Sequence, residues 1–165
     1  MKRLLSSLAC CLLLLCLCAG SVLSAPARAE ENSPSVPVIS MEGLDGLLQK
    51  TGDKVVIINF FATWCPPCRE ELPELIALRK EYPAQQLDII GISLDSNSAA
   101  LDVFAATQGF NYPVFRDDGS IARGLGLGSI PFNIILNGSG EIVYGGPGML
   151  DQKMLKEQID TALGR

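Results

Sequence analysis

The sequence predicts an α/β domain built on a central mixed β-sheet with helices on both faces. Three observations lead there. Two continuous apolar runs rich in β-branched residues, Val55 to Phe61 and Leu87 to Leu94, have the composition of strands covered on both faces. Each is followed by a segment with helical spacing, so the order strand, helix, strand, helix implies a parallel pair joined by a crossover. A further pair of apolar segments flanks Asn137-Gly138-Ser139-Gly140, a turn sequence of antiparallel hairpins, and a helical segment closes the chain.

The 165 residues provide for one compact domain and a leader. Lys2 and Arg3 precede a leucine-rich stretch from Leu4 to Ala19, and the small residues after it end in Ala27-Arg28-Ala29. This fits a secretory signal over residues 1–29, cleaved before Glu30. The alternative is an uncleaved membrane anchor, because Leu4 to Ala27 carries no charge and is long enough to span a bilayer. Either reading exports the folded part. Residues 30–37 are polar, contain Pro34 and Pro37, and read as a mobile linker, leaving 38–165 as the domain.

Within that domain, Met41 to Lys50 places Leu44, Leu47 and Leu48 at helical spacing, and Thr51-Gly52-Asp53 ends this short helix. Val55 to Phe61 is the first central strand. Cys65 opens the next helix, which runs to about Tyr82; Pro67 suits its first turn, whereas Pro73 inside it is expected to remove a hydrogen bond and kink it. Leu87 to Leu94 is the second buried strand, and Ser98 to Gly109 a helix with Leu101, Phe104 and Ala105 on one face. Tyr112 to Phe115 reads as a short extended piece, and Ser120 to Arg123 as a brief helix. Phe132 to Leu136 and Glu141 to Tyr144 form the hairpin. Asp151 to Leu163 is an amphipathic helix with Asp151 as N-cap and Gly164 just beyond its end.

Charge and cysteine usage narrow the function. The whole chain carries 13 basic and 18 acidic residues, a net charge of -5; without Lys2, Arg3 and Arg28 the exported part has 10 against 18, or -8. That balance argues against nucleic acid and anionic lipid surfaces, and for protein partners. Membrane contact is confined to the N-terminal segment, if it stays attached. Gly124-Leu125-Gly126-Leu127-Gly128 lacks the G-x-G-x-x-G spacing of a nucleotide loop and follows no strand, so no organic cofactor is expected. Cys10, Cys11, Cys16 and Cys18 lie in the leader, which leaves only Cys65 and Cys68 outside it.

Cys65-Pro66-Pro67-Cys68 therefore carries the chemistry. A zinc site is excluded as a reading, since tetrahedral zinc needs four ligands and the chain has no histidine and no further exported cysteine. A purely structural disulfide would close a very short loop and restrain the unfolded chain little. A C-x-x-C pair beside a β-α-β pattern points instead to a redox-active dithiol. At a helix N-terminus the amides and the dipole lower the Cys65 pKa below the ordinary ~8.5. Pro66 and Pro67 have no N–H, so that stabilisation is moderate and favours a potential nearer ~-270 mV than ~-120 mV.

The stretch Phe60-Phe61-Ala62-Thr63-Trp64-Cys65-Pro66-Pro67-Cys68-Arg69-Glu70-Glu71-Leu72-Pro73 resembles the thioredoxin superfamily, and most of all its exported TlpA/ResA-like branch, which includes the cytochrome c maturation reductases. The branch pattern W-C-x-x-C-x-x-E-x-P is matched by Trp64, Cys65, Cys68, Glu71 and Pro73, and Leu127-Gly128-Ser129-Ile130-Pro131 resembles its segment ending in a cis-proline. The resemblance covers about Val38 to Leu163. It implies a thioredoxin-like fold and a thiol-disulfide oxidoreductase in which Cys65 attacks a substrate disulfide and Cys68 resolves the mixed disulfide. Cys65 is expected to be exposed at the helix tip and Cys68 shielded.

The same resemblance implies that Pro131 faces the dithiol and that the backbone of Ile130 pairs with an extended substrate chain. Phe132 and Asn133 depart from the small hydroxyl residues common after that proline. Thioredoxins keep a buried aspartate where this chain has Asn59, which does not titrate; Asp95 is nominated as the proton acceptor for Cys68, the alternative being a turn or helix-capping aspartate. Glu71 reads as a helix-face acid that its match to the family pattern keeps among the supporting residues. Trp64, unless it is core, touches substrate beside the dithiol. The implied partners are exported proteins with disulfides, such as apocytochrome c, and a membrane thiol that donates electrons. Competing readings are a disulfide-forming oxidase, a peroxidase of the same superfamily, and a non-catalytic adaptor.

Overall fold

The computed structural model describes residues 35–165; the predicted leader and most of the predicted linker lie outside the described residues. Six strands and five helices follow one another as β1 (Val38–Ile39), α1 (Met41–Leu48), β2 (Val55–Phe61), α2 (Pro66–Glu81), β3 (Leu87–Ser93), α3 (Ser98–Gln108), β4 (Val114–Asp117), α4 (Ser120–Gly124), β5 (Phe132–Leu136), β6 (Ile142–Pro147) and α5 (Gln152–Ala162). The sheet runs β1-β4-β3-β2-β5-β6. Its first four strands are mutually parallel, and β5 and β6 are antiparallel to their neighbours.

Crossover handedness decides which face each helix covers. Because β2, β3 and β4 step in one direction across the sheet, α2 and α3 fall on the same face. The step from β1 to β2 runs the other way and puts α1 opposite. The packing follows: Leu72, Leu75 and Leu78 of α2, Leu101 of α3, and Leu155 and Ile159 of α5 bury against Ile57, Phe61 and Ile89. Leu44 of α1 and Ile121 of α4 bury against Val56, Ile58, Phe60, Ile90 and Ile92. Odd and even positions of β2 thus serve two cores, which is why every residue of this strand is buried and all but Asn59 are apolar. Each buried leucine contributes about 1.5–3 kcal/mol.

Local signals set most boundaries. Ser40 caps α1 through a hydrogen bond from the Gly43 N–H. Asp151 caps α5 by accepting the Met154 N–H at 2.8 Å. Asn97 caps α3, and Gly109 ends it in the left-handed conformation, φ 76°. Asn137 accepts the Ser139 and Glu141 N–H groups and closes the hairpin. Val36 and Pro37 are tied to the fold through Asp102 and the Arg116 N–H.

Helix α2 continues through Pro73, which sits on its exposed side. Three expectations need adjustment. Strand β4 begins at Val114 rather than Tyr112, because pairing with β3 starts at Gly91↔Val114 and Tyr112 is used instead to fill the core. Strand β6 extends to Pro147, since β5 still offers partners as far as Phe132. Strand β1, two residues long, has no counterpart in the sequence reading.

Candidate active site

Cys65 ends the connection from β2 in extended backbone, φ -93° and ψ 107°, and occupies the N-cap of α2. Its sulfur stands where a capping oxygen would: the Cys68 N–H points at Cys65 Sγ across 3.3 Å. Pro66 and Pro67 take the first two helical positions, where an N–H lacks an intrahelical partner. Cys68 therefore supplies the first helix amide available to the sulfur. The two sulfurs are bonded to each other, with Cα atoms 5.3 Å apart.

Cys65 is only 4 % exposed, not open at the helix tip as expected, and Cys68 is 0 % exposed. Joined sulfurs cover each other, and the Ile130 carbonyl oxygen lies 3.8 Å from Cys65 Sγ. The Ile130–Pro131 peptide is cis. Trp64 is 68 % exposed, which removes the reading of it as a core residue. With Leu94, Leu127, Gly128, Ser129 and Ile130 it lines a groove of about 180 Å³ beside the disulfide.

Glu71 is not a helix-face acid: it is 0 % exposed. The reason lies in its spacing, because Cys68, Glu71, Leu72 and Leu75 form the inward stripe of α2. Its carboxylate accepts the Asn59 side-chain N–H at 2.7 Å, the Asn133 side-chain N–H at 2.7 Å and the Leu150 backbone N–H at 2.8 Å. Asn59 Nδ2 also donates to Asn133 Oδ1 at 2.9 Å. Burial raises the Glu71 pKa above the ordinary carboxylate value, and the three donors offset part of that rise.

Asp95, just after β3, accepts the Thr63 N–H at 2.9 Å, the Thr63 hydroxyl at 2.7 Å and the Ser93 hydroxyl at 2.6 Å. Both of its oxygens are thus engaged on the loop that carries Trp64. The helix cap after it is Asn97, not Asp95.

The predicted residues fall into three neighbouring groups: the Cys65–Cys68 pair with Pro66, Pro67, Trp64 and the Ile130-Pro131 segment; Glu71 with two buried asparagines; and Asp95 with Thr63. Sequence reasoning missed Thr63, Asn133 and the Leu150 amide as partners. The asparagines had a signal, since Asn59 and Asn133 each interrupt an apolar strand and face each other in register.

A thioredoxin-like sheet, a C-x-x-C disulfide at a helix tip and a cis-proline loop against it agree with what comparison with known proteins finds. Residues 36–145 match the AhpC/TSA family. The chain is 30 % identical over 135 residues to the thiol-disulfide oxidoreductase ResA of Halalkalibacterium halodurans, covering 81 % of this chain and 77 % of that one. It is 29 % identical to the sporulation thiol-disulfide oxidoreductase A of Bacillus subtilis, covering 79 % and 84 % respectively. Among solved structures, a thiol:disulfide interchange protein of the thioredoxin family from Chlorobium tepidum superimposes with a TM-score of 0.65 at 29 % identity, over 70 % of this chain and 84 % of that one. With the fold, the bonded cysteine pair and these relatives in agreement, the chain belongs to the thioredoxin-like AhpC/TSA family and is a thiol-disulfide oxidoreductase of the ResA and StoA type.

Proposed function

We propose that this oxidoreductase works on the extracytoplasmic side of a bacterial membrane as a reductant of protein disulfides, with residues 1–29 serving as signal peptide or anchor and 38–165 as the working domain. The observation that carries the reading is the Cys65–Cys68 bond at the tip of α2 beside an exposed apolar groove. In the reduced enzyme the Cys65 thiolate attacks one sulfur of a substrate disulfide; that bond breaks, a mixed disulfide forms, and the first substrate thiolate leaves. Cys68 then loses its proton and attacks Cys65 Sγ. The second substrate thiolate leaves, and the enzyme ends with its own cysteines joined. A membrane dithiol returns two electrons and two protons and is itself oxidised.

Supporting roles follow from placement. Glu71, one helical turn after Cys68 and buried with it, is the acceptor for the Cys68 proton, taking the task left open by Asn59. Asp95 positions the Thr63-Trp64 segment. The Ile130 backbone, ahead of Pro131, receives the substrate chain. Disulfides of an apocytochrome c haem-binding motif are the proposed physiological target, on the strength of the TlpA/ResA-like pattern.

Insulin-disulfide reduction tests the reading. Wild type should accelerate it and Cys65→Ser should not; equal behaviour of the two would point to an adaptor. Equilibration with glutathione should give a potential nearer ~-270 mV than ~-120 mV, and a value at the latter end would identify an oxidase. In Glu71→Gln the pH dependence of the resolving step should disappear. Cys68→Ser should trap the mixed disulfide and so identify the partner.

A further inference from the structure

We propose that the Tyr112 hydroxyl is a positioning group for Glu71: it holds the side-chain oxygen of Asn59 through one bound water, and so keeps the Asn59 nitrogen turned toward the Glu71 carboxylate. Two orphaned atoms point to this. Asn59 spends its Nδ2 on both Glu71 and Asn133, while its Oδ1 is buried without a partner among the described residues. The Tyr112 hydroxyl, carried by the connection between α3 and β4, is likewise buried without one among the described residues.

The fold brings the two together. Asn59 on β2 lies opposite Gly91 on β3, and both face the core that holds Tyr112. A Cβ on Gly91 would come within 3.3 Å of Tyr112 Cε2, so the phenol ring occupies the space that a side chain at position 91 would fill, next to Asn59. Burial and the Glu71 charge push the Tyr112 pKa far above the phenol range, so the hydroxyl stays a donor.

Hydrogen-bond chemistry then assigns the role. A permanent O–H donor satisfies the amide oxygen of Asn59 and cannot satisfy its NH₂, which selects the orientation with nitrogen toward Glu71. A protonated Glu71 needs an acceptor for its own O–H. Asn133 turns its nitrogen to Glu71 and its Oδ1 to Asn59, and Tyr112 withholds Asn59 Oδ1. Tyr112 therefore favours ionised Glu71 and opposes the effect of burial. The groups that donate to Glu71 from β2, β5 and the loop before α5 are amides that do not titrate; among the described residues Tyr112 feels the Glu71 charge, and Cys68 is buried one turn earlier on α2, its sulfur bonded to Cys65.

The importance for catalysis rests on Glu71 being the acceptor for Cys68, but the test does not. The ¹³C shift of the Glu71 carboxyl, followed against pH in the oxidised protein, reads its protonation whether or not it serves Cys68. Tyr112→Phe, which keeps the ring, should raise the midpoint by about one pH unit, tenfold in proton affinity. A midpoint that stays or falls overturns the proposal. In an Asn59→Ala background the same substitution should shift nothing, and an equal rise in both backgrounds also overturns it. An atomic-resolution structure of the wild type gives a test without variants: the phenol oxygen and Asn59 Oδ1 should share a bound water, and a hydroxyl bonded elsewhere sinks the idea.

Discussion

The Glu71 carboxylate and the Leu150 backbone amide, 79 positions apart in the chain, are joined by a 2.8 Å hydrogen bond. Two residues before Leu150, the Gly148 N–H donates to the Pro131 carbonyl at 2.8 Å. The helix that carries the dithiol and the loop that carries Pro131 are therefore both tied to the short segment 148–150.

Glu71→Ala strands three buried donors at once, from Asn59, Asn133 and Leu150. Each unsatisfied group costs about 1–3 kcal/mol, so the variant should lose about 3–5 kcal/mol after partial relaxation. Glu71→Gln keeps an acceptor oxygen and should lose about 1–2 kcal/mol. Urea denaturation measures both, and equal losses would mean that the donors do not depend on the carboxylate.

Stability should fall as pH rises past the unfolded-chain value of Glu71, near 4.5. The sign follows from the raised pKa: between the unfolded and folded values the native state binds more protons than the unfolded one, so raising pH favours unfolding. The contribution is whole below the unfolded value and is lost as pH climbs through the folded one. Denaturation midpoints across that range should slope downward in wild type, less steeply in Glu71→Gln; matching slopes would place the effect on other groups.

Legibility followed locality. Strands β2 and β3 are readable because burial on two faces makes most of their positions apolar. Strand β1 is not, since two residues carry no period. Tyr112 belongs by composition to an extended segment, and only the Gly91↔Val114 register moves the strand past it. The dithiol is readable because its chemistry is set by spacing within one turn. The surroundings of Glu71 are not, because its partners come from positions 59, 133 and 150, although the stripe Cys68, Glu71, Leu72, Leu75 already puts the acid on the inward face.

Asp95→Ala should loosen the Thr63-Trp64 segment, because it removes the acceptor of the Thr63 N–H and hydroxyl. The expected result is a fall of about tenfold in kcat/KM toward a protein disulfide, equivalent to about 1.4 kcal/mol. Asp95→Asn keeps one acceptor oxygen and should recover part of it. If instead Asp95→Asn removes the pH dependence of the resolving step while Glu71→Gln leaves it intact, Asp95 is the proton acceptor and the two roles are exchanged.

Gly91→Ala should destabilise the sheet, since the new Cβ would lie 3.2 Å from Val114 Cγ2, 3.3 Å from Tyr112 Cε2 and 3.4 Å from Phe61 Cε1. All three neighbours are held in the core and cannot withdraw freely. Overpacking of this kind costs about 1–3 kcal/mol, a drop of several degrees in Tm. Calorimetry that finds no change would show that the Tyr112 ring can move away from Asn59.

Trp64→Ala should separate substrate recognition from chemistry. The side chain is 68 % exposed, so little packing is lost and stability should change by no more than about 0.5 kcal/mol. It forms one wall of the groove with Leu94, Leu127 and Ile130, and exposed aromatic anchors of this kind carry a large share of protein recognition. On the proposed substrate path a protein disulfide crosses that groove to reach Cys65, whereas a small disulfide need not. The variant should therefore reduce a polypeptide substrate about tenfold less efficiently, through KM, while its rate with a small-molecule disulfide stays within about twofold. Equal losses on both substrates would put Trp64 in the reaction at Cys65 itself, and no loss on either would remove the groove from recognition.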